Sequence, residues 1–485
     1  MSSLMRRQLR AVVIVLTGAA LLLLLVGIAV LVSAGTPPGI VANKSGGALT
    51  PFPHEASLSR LTTAAATTAF PGDGWVQAFS DRWAPDESTD TEQYLDVAQA
   101  GSILRVQVTD DEDWPAGPPA VADYPIETIV VVWAGPSQYE DRGWNNIEYA
   151  TFDVDGTLVL PVTQISDNGP SPEWDTYAGD PVPAVGPTTG NVLFAWSQYR
   201  HLGPGASYTE IYYAVRGPDG AEIRGASEIA STFQYLEEVF SPAAAAFGNG
   251  FFLVAWSRSP LMGEGEAGIY YRILDTRGGA FVGPTKLTGD LIGAVSADAR
   301  ATRLASGHVL LTWTGSTDQG RQVYYAVLSS AGRVVQAPSR LSDAPYGVGG
   351  SDAAGLHNGN IIVAWEEHGA QAGESQIAYA MLNSIYTTTL PVATTYLTNP
   401  LEAENDAVCV ARDGDDHAVL TWRGSDGQHI YAAVVGNDGQ VRTWPVILRT
   451  ARGTSLDIDA TGAGCGSLPT SRFPSYYFPL VARNH

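Results

Sequence analysis

The chain has 485 residues, 45% of them hydrophobic, and a formal net charge of −23. That is enough apolar material for a large core, and a length of this size fits two or three average domains. The acidic balance excludes nucleic acid and anionic lipid surfaces as partners, because both are gripped by basic stripes that this chain lacks.

In chain order, Arg6, Arg7 and Arg10 precede an uninterrupted apolar stretch from Ala11 to Ala34, 24 residues, which spans a bilayer as a helix. The positive flank stays cytoplasmic, so everything after it is expected to be exported. Val32-Ser33-Ala34 also satisfies a signal-peptide cleavage site, so a retained membrane anchor and a secreted form both fit. Residues 1–10 are then a cytoplasmic basic segment, 11–34 the transmembrane or signal helix, and 35–60 a flexible stalk rich in Pro, Gly, Ser, Thr and Ala.

One unit then recurs seven times. Its marker is an apolar strand ending in an aromatic residue: Phe79, Trp133, Trp196, Trp256, Trp313, Trp365 and Trp422, spaced 54, 63, 60, 57, 52 and 57 residues apart. A period of this size, filled with short strands and Gly turns, predicts an all-β fold over residues 61–468: a seven-bladed β-propeller of four-stranded antiparallel blades. In each unit strand A is made of small residues (PAAAA, DARAT, DAAGL), as crowding around an axis requires, and strand B is apolar on both faces. Strand C carries a recurrent tyrosine, Tyr94, Tyr149, Tyr213, Tyr271, Tyr325, Tyr379 and Tyr431. Tight turns such as Asn249-Gly250 and Asp219-Gly220 join A to B and C to D. The B to C and D to A connections are longer and irregular, so one face of the disc is expected to carry function.

The segment SLDIDAT, Ser455 to Thr461, reads as a surplus strand A that closes the ring by becoming the innermost strand of blade 1. TTAAATTAF, Thr62 to Phe70, competes for the same position. Cys409 and Cys465, the two cysteines, fall in the blade 7 strand A and at the end of the closing strand, where a disulfide would staple the ring; two free, buried thiols fit the sequence as well. Residues 469–485 form an aromatic tail.

Two constellations stand out. Asp180, Asp298, Asp352, Asp406 and Asp457 occupy equivalent strand A entry points, with Ser241 in blade 4. Gathered around a channel mouth, such carboxylates could hold Ca²⁺ through oxygen ligands. Each Asp bonding its own turn backbone satisfies the pattern equally well, and no spaced calcium loop accompanies it. Trp83, Trp114, Trp144 and Trp174 lie on the long connections of blades 1 to 3, beside Asp111, Tyr139 and Glu173. Exposed indoles flanked by carboxylates suit stacking on sugar rings or gripping a basic peptide; packing beneath their own loops is the other reading. The eight histidines are scattered, and no zinc, nucleophile-elbow or phosphate-loop motif is present.

Ser316-Thr317-Asp318-Gln319-Gly320-Arg321-Gln322-Val323 resembles the Asp box of sialidase-like propellers, without its final Thr-Trp. In that family the box is a structural turn, so the resemblance implies fold and not catalysis. A sialidase-type glycoside hydrolase would also need an arginine cluster. The family's Arg-Ile-Pro motif is absent, and Arg82, Arg258 and Arg423, each following strand B, are the nearest substitutes. The tail around Tyr476-Tyr477-Phe478-Pro479-Leu480-Val481 resembles endings of exported proteins of Chloroflexus-like bacteria. The first reading is therefore a surface recognition or scaffold module for a glycan, peptide or protein, and the second a divergent glycoside hydrolase.

Overall fold

The structure is a computed structural model. It describes residues from Ala66 to Asp457, apart from 70–74, 84–89, 100–101, 108–118, 124–127, 137–144, 154–155, 167–174, 202–206, 232–236, 261–266, 289–295, 319, 371–373, 388–394, 398–405, 413–415, 425–428 and 451–454. Side chains are described from residue 119 onward within those limits, except those of 123, 136, 145, 175–177, 201, 207, 237, 260, 296–297, 395–396, 406–407, 430, 446–450 and 455–457. The chain divides into two units, Met1–Arg60 and Leu61–His485, and every described residue belongs to the second. The apolar stretch 11–34, the stalk and the tail lie outside the described residues. Among the described residues no helix is long and apolar enough to cross a membrane.

All described secondary structure is β, arranged as six four-stranded antiparallel sheets and one of five strands. Each is a consecutive meander of the A, B, C and D strands. In blade 3 these are Asp175–Val185, Val192–His201, Ser207–Arg216 and Glu222–Ser231; in blade 5, Ser296–Arg303, Val309–Thr317, Gly320–Leu328 and Val334–Arg340. The inner strands contact one another in series: Ala66–Ala69 meets Ala120–Asp123, and contact then passes through Asp175–Val185, Glu237–Ala246, Ser296–Arg303 and Val348–Gly355 to Asp406–Arg412. Asp406–Arg412 in turn meets Ala66–Ala69, closing the ring. The small residues of strand A permit this approach. Ala243, Ala244, Ala245 and Ala246 are all buried between neighbouring inner strands.

Both candidates for the innermost strand of blade 1 are used. Ala66–Ala69 pairs with Trp75 to Ala78, and Ser455–Asp457 pairs with Ser80 to Arg82 on the same strand. The two pieces abut across Phe79. In blades 3, 4, 5 and 7 the inner strand carries a β-bulge opposite the corresponding aromatic residue, Trp196, Trp256, Trp313 or Trp422. The chain of blade 1 is thus broken where the other blades already interrupt their ladder, so closure sacrifices few hydrogen bonds.

Trp133, Trp196, Trp313, Trp365 and Trp422 are fully buried. Four of the strand B tryptophans stack on the strand C tyrosine opposite: Trp196 on Tyr212, Trp256 on Tyr270, Trp313 on Tyr324 and Trp422 on Tyr431, with ring centroids 5.9 to 6.2 Å apart. The next residue along strand C points to the other face and latches the following blade. Tyr213 donates to Gly278 O at 2.9 Å, Tyr271 to Gly332 O at 3.1 Å, Tyr325 to Tyr386 O at 2.8 Å and Tyr379 to Gly439 O at 2.9 Å. Tyr94 and Tyr431 are paired with Phe79 and Trp422, so they stand in the stacking register. Their expected equivalence with the latch tyrosines is off by one residue, which on a strand reverses the face.

Candidate functional site

The meander places the A to B and C to D turns on one face and the other connections on the opposite face. On the tight-turn face successive blades are stitched together. Gly248 N donates to Gly307 O at 2.9 Å, Asn191 Nδ2 to Thr276 O at 2.7 Å, and Asn358 Nδ2 and Asn360 Nδ2 both reach Asn437 O, at 3.1 and 2.9 Å. A Cβ on Gly248 would lie 2.9 Å from Gly307 Cα, so this contact requires glycine. One face is therefore a rigid floor.

On the loop face of blade 3, the end of strand B and the start of strand C bring Arg200, Tyr208, Glu210 and Tyr212 together. Arg200 Nη2 donates to Tyr212 OH at 2.8 Å, and Arg200 Nε lies 2.8 Å from Glu210 Oε2, a charge contact rather than an aligned hydrogen bond. Ser231 Oγ donates to Glu210 Oε1 at 3.4 Å. Burial lifts the Glu210 carboxyl above its ordinary range, against the pull of Arg200 and with a push from Glu228. Burial raises the Tyr212 and Tyr208 hydroxyls as well. Sequence reasoning passed over this group because Arg200 and Glu210 belong to no motif and meet only through the B to C pairing.

On the loop face of blades 5 and 6, Arg321 Nη2 donates to Asp298 Oδ2 and to Thr314 Oγ1, both at 2.8 Å. The Asp-box-like segment is a tight hairpin in which strands B and C pair out to Thr317 and Gly320 and Thr317 Oγ1 donates to Gly320 O at 2.7 Å. It is a structural turn, as the resemblance implies, and an exception to the long B to C connections expected from sequence. The connection leading into blade 6 lies across it. Gly320 and Gly347 have φ values of 100° and 91°, and a Cβ on Gly347 would stand 3.2 Å from Arg321 N. His368 N donates to Gly347 O at 3.0 Å, and Tyr346 beside it is 59% exposed.

The five aspartates are not one equivalent set. Asp180 and Asp298 lie in the bulge opposite Trp196 and Trp313, in the left-handed region at φ 50° and 55°, with Ser241 at 49° opposite Trp256. Asp406 and Asp457 pair with Arg423 and Ser80, one residue earlier on strand A. Asp352 pairs with Ala364, further along in the opposite direction. Asp298 is engaged by Arg321 and Thr314; Asp352 is buried and accepts from Val410 N of the next blade at 2.7 Å. Among the described residues no group of three or more His, Cys, Asp or Glu is placed to hold a metal ion.

Of the predicted aromatic sector, Trp83 is described by its backbone alone, paired with Asp90 at the end of strand B. Trp114, Trp144, Trp174, Tyr139, Asp111 and Glu173 lie outside the described residues. Arg258 sits over the Tyr270 ring at 5.3 Å, a cation–π contact within its own blade. Cys409 is buried and disulfide-bonded; Cys465 lies outside the described residues.

No protein-family model and no curated protein match this chain. Among solved structures, a puromycin hydrolase complexed with PGG superposes with a TM-score of 0.50 at 15% identity, over 80% of this chain and 54% of that one. This chain therefore spans about half the length of that hydrolase. A leech intramolecular trans-sialidase complexed with 2,7-anhydro-Neu5Ac matches at 9% identity and a TM-score of 0.43, over 75% of this chain and 88% of that one. An α-L-arabinanase of Penicillium chrysogenum complexed with arabinobiose matches at 12% and 0.42, over 67% and 98%. At these identities the similarity concerns fold alone: this chain is a β-propeller, distantly similar to solved structures that include sialidases and arabinanases.

Proposed function

We propose that this chain is an exported, membrane-anchored β-propeller that acts at the cell surface as a recognition or scaffold module, with a glycan as the favoured ligand over a peptide or protein. The observation that carries the reading is the contrast between the two faces. The tight-turn face is stitched blade to blade through Gly248, Asn191, Asn358 and Asn360. The opposite face bears the longer connections and preset polar and aromatic groups. A rigid frame carrying varied loops is how binding surfaces are commonly built. The Arg-flanked apolar stretch Ala11 to Ala34 supports export and anchoring. Glycan is favoured because the aromatic and carboxylate-rich connections suit stacking and hydroxyl hydrogen bonds, and because the net charge of −23 disfavours acidic ligands.

One observation favours the second reading, a glycoside hydrolase. Glu210 is a buried loop-face carboxyl raised by desolvation beside a tyrosine and an arginine, and a raised carboxyl is what a general acid requires. The test is a glycan array and a panel of chromogenic glycosides with the purified full-length chain. Binding without sugar release supports recognition. Release that Glu210→Gln abolishes replaces it with hydrolysis, and neither binding nor release refutes both. Protease accessibility on intact cells checks export; a chain that stays protected refutes it.

A further inference from the structure

The Asp-box-like hairpin of blade 5 has no place in the reading above, yet it is held at several points on the loop face. Its tip is fixed by the Thr317 to Gly320 hydrogen bond and its flank by the Arg321 pair with Asp298 and Thr314. The connection Ser342 to Val348 lies directly on it. Gln322 Oε1 accepts from Ser342 Oγ at 2.8 Å and from Ala344 N at 2.9 Å, and Gln322 Nε2 donates to Ala344 O at 2.6 Å. Gln322 is fully buried, so the connection is held from beneath. The left-handed glycines Gly320 and Gly347 complete the contact backbone to backbone. A loop tied down at this many points loses little freedom when it binds.

What this base displays is Tyr346, 59% exposed. The Arg321 side chain is 41% exposed and that of Asp343, paired with Arg340, is 82% exposed; Asp318 at the hairpin tip is also exposed. We propose that this hairpin and connection form a sugar-binding platform, in which one pyranose or furanose ring of a neutral glycan stacks on Tyr346 while Arg321 and the carboxylates of Asp318 and Asp343 take its hydroxyl groups. Hydroxyls both donate and accept, and the platform offers both complements. A peptide would need pockets for its side chains, whereas this platform presents one exposed aromatic ring and exposed charged groups. The inference rests on the recognition reading but moves the contact from blades 1 to 3 to blades 5 and 6.

The probes are laminarihexaose, mannohexaose and arabinohexaose, each read by saturation-transfer difference NMR on the full-length chain. The expected result is transfer to at least one of them, with affinity about tenfold weaker in Tyr346→Ala, as loss of one stacked aromatic implies. Gly347→Val, which strains the loop and leaves Tyr346 in place, is expected to weaken binding as well, and a circular-dichroism melt shows whether either variant is folded. A Trp114→Ala, Trp174→Ala double variant separates the two sites. If it abolishes transfer while Tyr346→Ala leaves it unchanged, this proposal fails and the blade 1 to 3 reading stands. The reverse pattern supports the platform and removes the predicted indole site. No transfer from any of the three sugars, or Tyr346 shielded only by a basic peptide, overturns the proposal.

Discussion

Among single residues, Asp352 carries the clearest physical consequence. It lies on the inner strand of blade 6, buried, with Val410 N of blade 7 donating to it. Burial pushes its carboxyl up from 3.8 to about 6, against the Val410 hydrogen bond and the Arg300 guanidinium. The folded state thus holds the proton more tightly than the unfolded chain does. The stabilising contribution of this group is complete below the unfolded value of 3.8 and is lost as pH rises through about 6. Asp352→Asn keeps an oxygen facing Val410 N without the charge. Its melting temperature is expected to change less than the wild type's between about pH 4 and pH 7, and to exceed it at the upper end. A variant that melts lower at neutral pH would show that the charge on Asp352 stabilises the ring through Arg300. The latch tyrosines give a second test at this scale. Tyr271→Phe removes one bond between blades and is expected to cost about 0.5–1.5 kcal/mol by urea unfolding. The tyrosines themselves are plain in the sequence, but their acceptors are backbone carbonyls one blade away, and no spacing announces those.

The strand B aromatic was legible because a strand buried on both faces reads as a continuous apolar run, and its closing Trp recurs at the blade period. Why the residue is Trp was not legible. Among the described residues no protein acceptor meets the indole N–H of Trp133, Trp196, Trp313, Trp365 or Trp422, so bulk and stacking hold the ring in place. Blade 1 has Phe79 at this point. Trp313→Phe, which keeps a ring against Tyr324, is therefore expected to destabilise far less than Trp313→Ala, for which a loss of about 3–5 kcal/mol is typical of such cavities. Equal losses in chemical denaturation would mean that the indole N–H has a partner after all. The entry points of strand A were misread for a related reason. An Asp near the start of each repeat suggests one ring of carboxylates, but the backbone pairing places Asp180 and Asp298 within the bulge, Asp406 one residue before it and Asp352 beyond it.

At the scale of the whole molecule, the seven-fold repeat and the direction of closure were readable from periodicity and from the surplus strand at the C-terminal end. The division of the blade 1 inner strand between both ends of the repeat region was not, since each segment alone looks like a complete answer. That division has a mechanical consequence. The blade 1 inner strand is two short pieces of four and three residues, each pairing with only part of strand B. Neither is long enough to hold the seam by its ladder alone. Cys409 lies on the blade 7 inner strand that contacts Ala66–Ala69 across this seam, and it is disulfide-bonded in a chain with one other cysteine, Cys465, eight residues past Asp457 at the end of Ser455–Asp457. Peptide mapping without reductant is expected to recover Cys409 joined to Cys465. Cys409→Ser is expected to lower unfolding free energy by about 2–4 kcal/mol, because the crosslink limits the unfolded chain. Hydrogen exchange separates this from a general weakening: amides of Trp75–Trp83 and Asp406–Arg412 should exchange faster in the variant, while those of Val309–Thr317, across the ring, keep their protection. Uniform acceleration around the ring would mean that blade 1 is held by side-chain packing between blades, and that the seam opens only when the whole ring does.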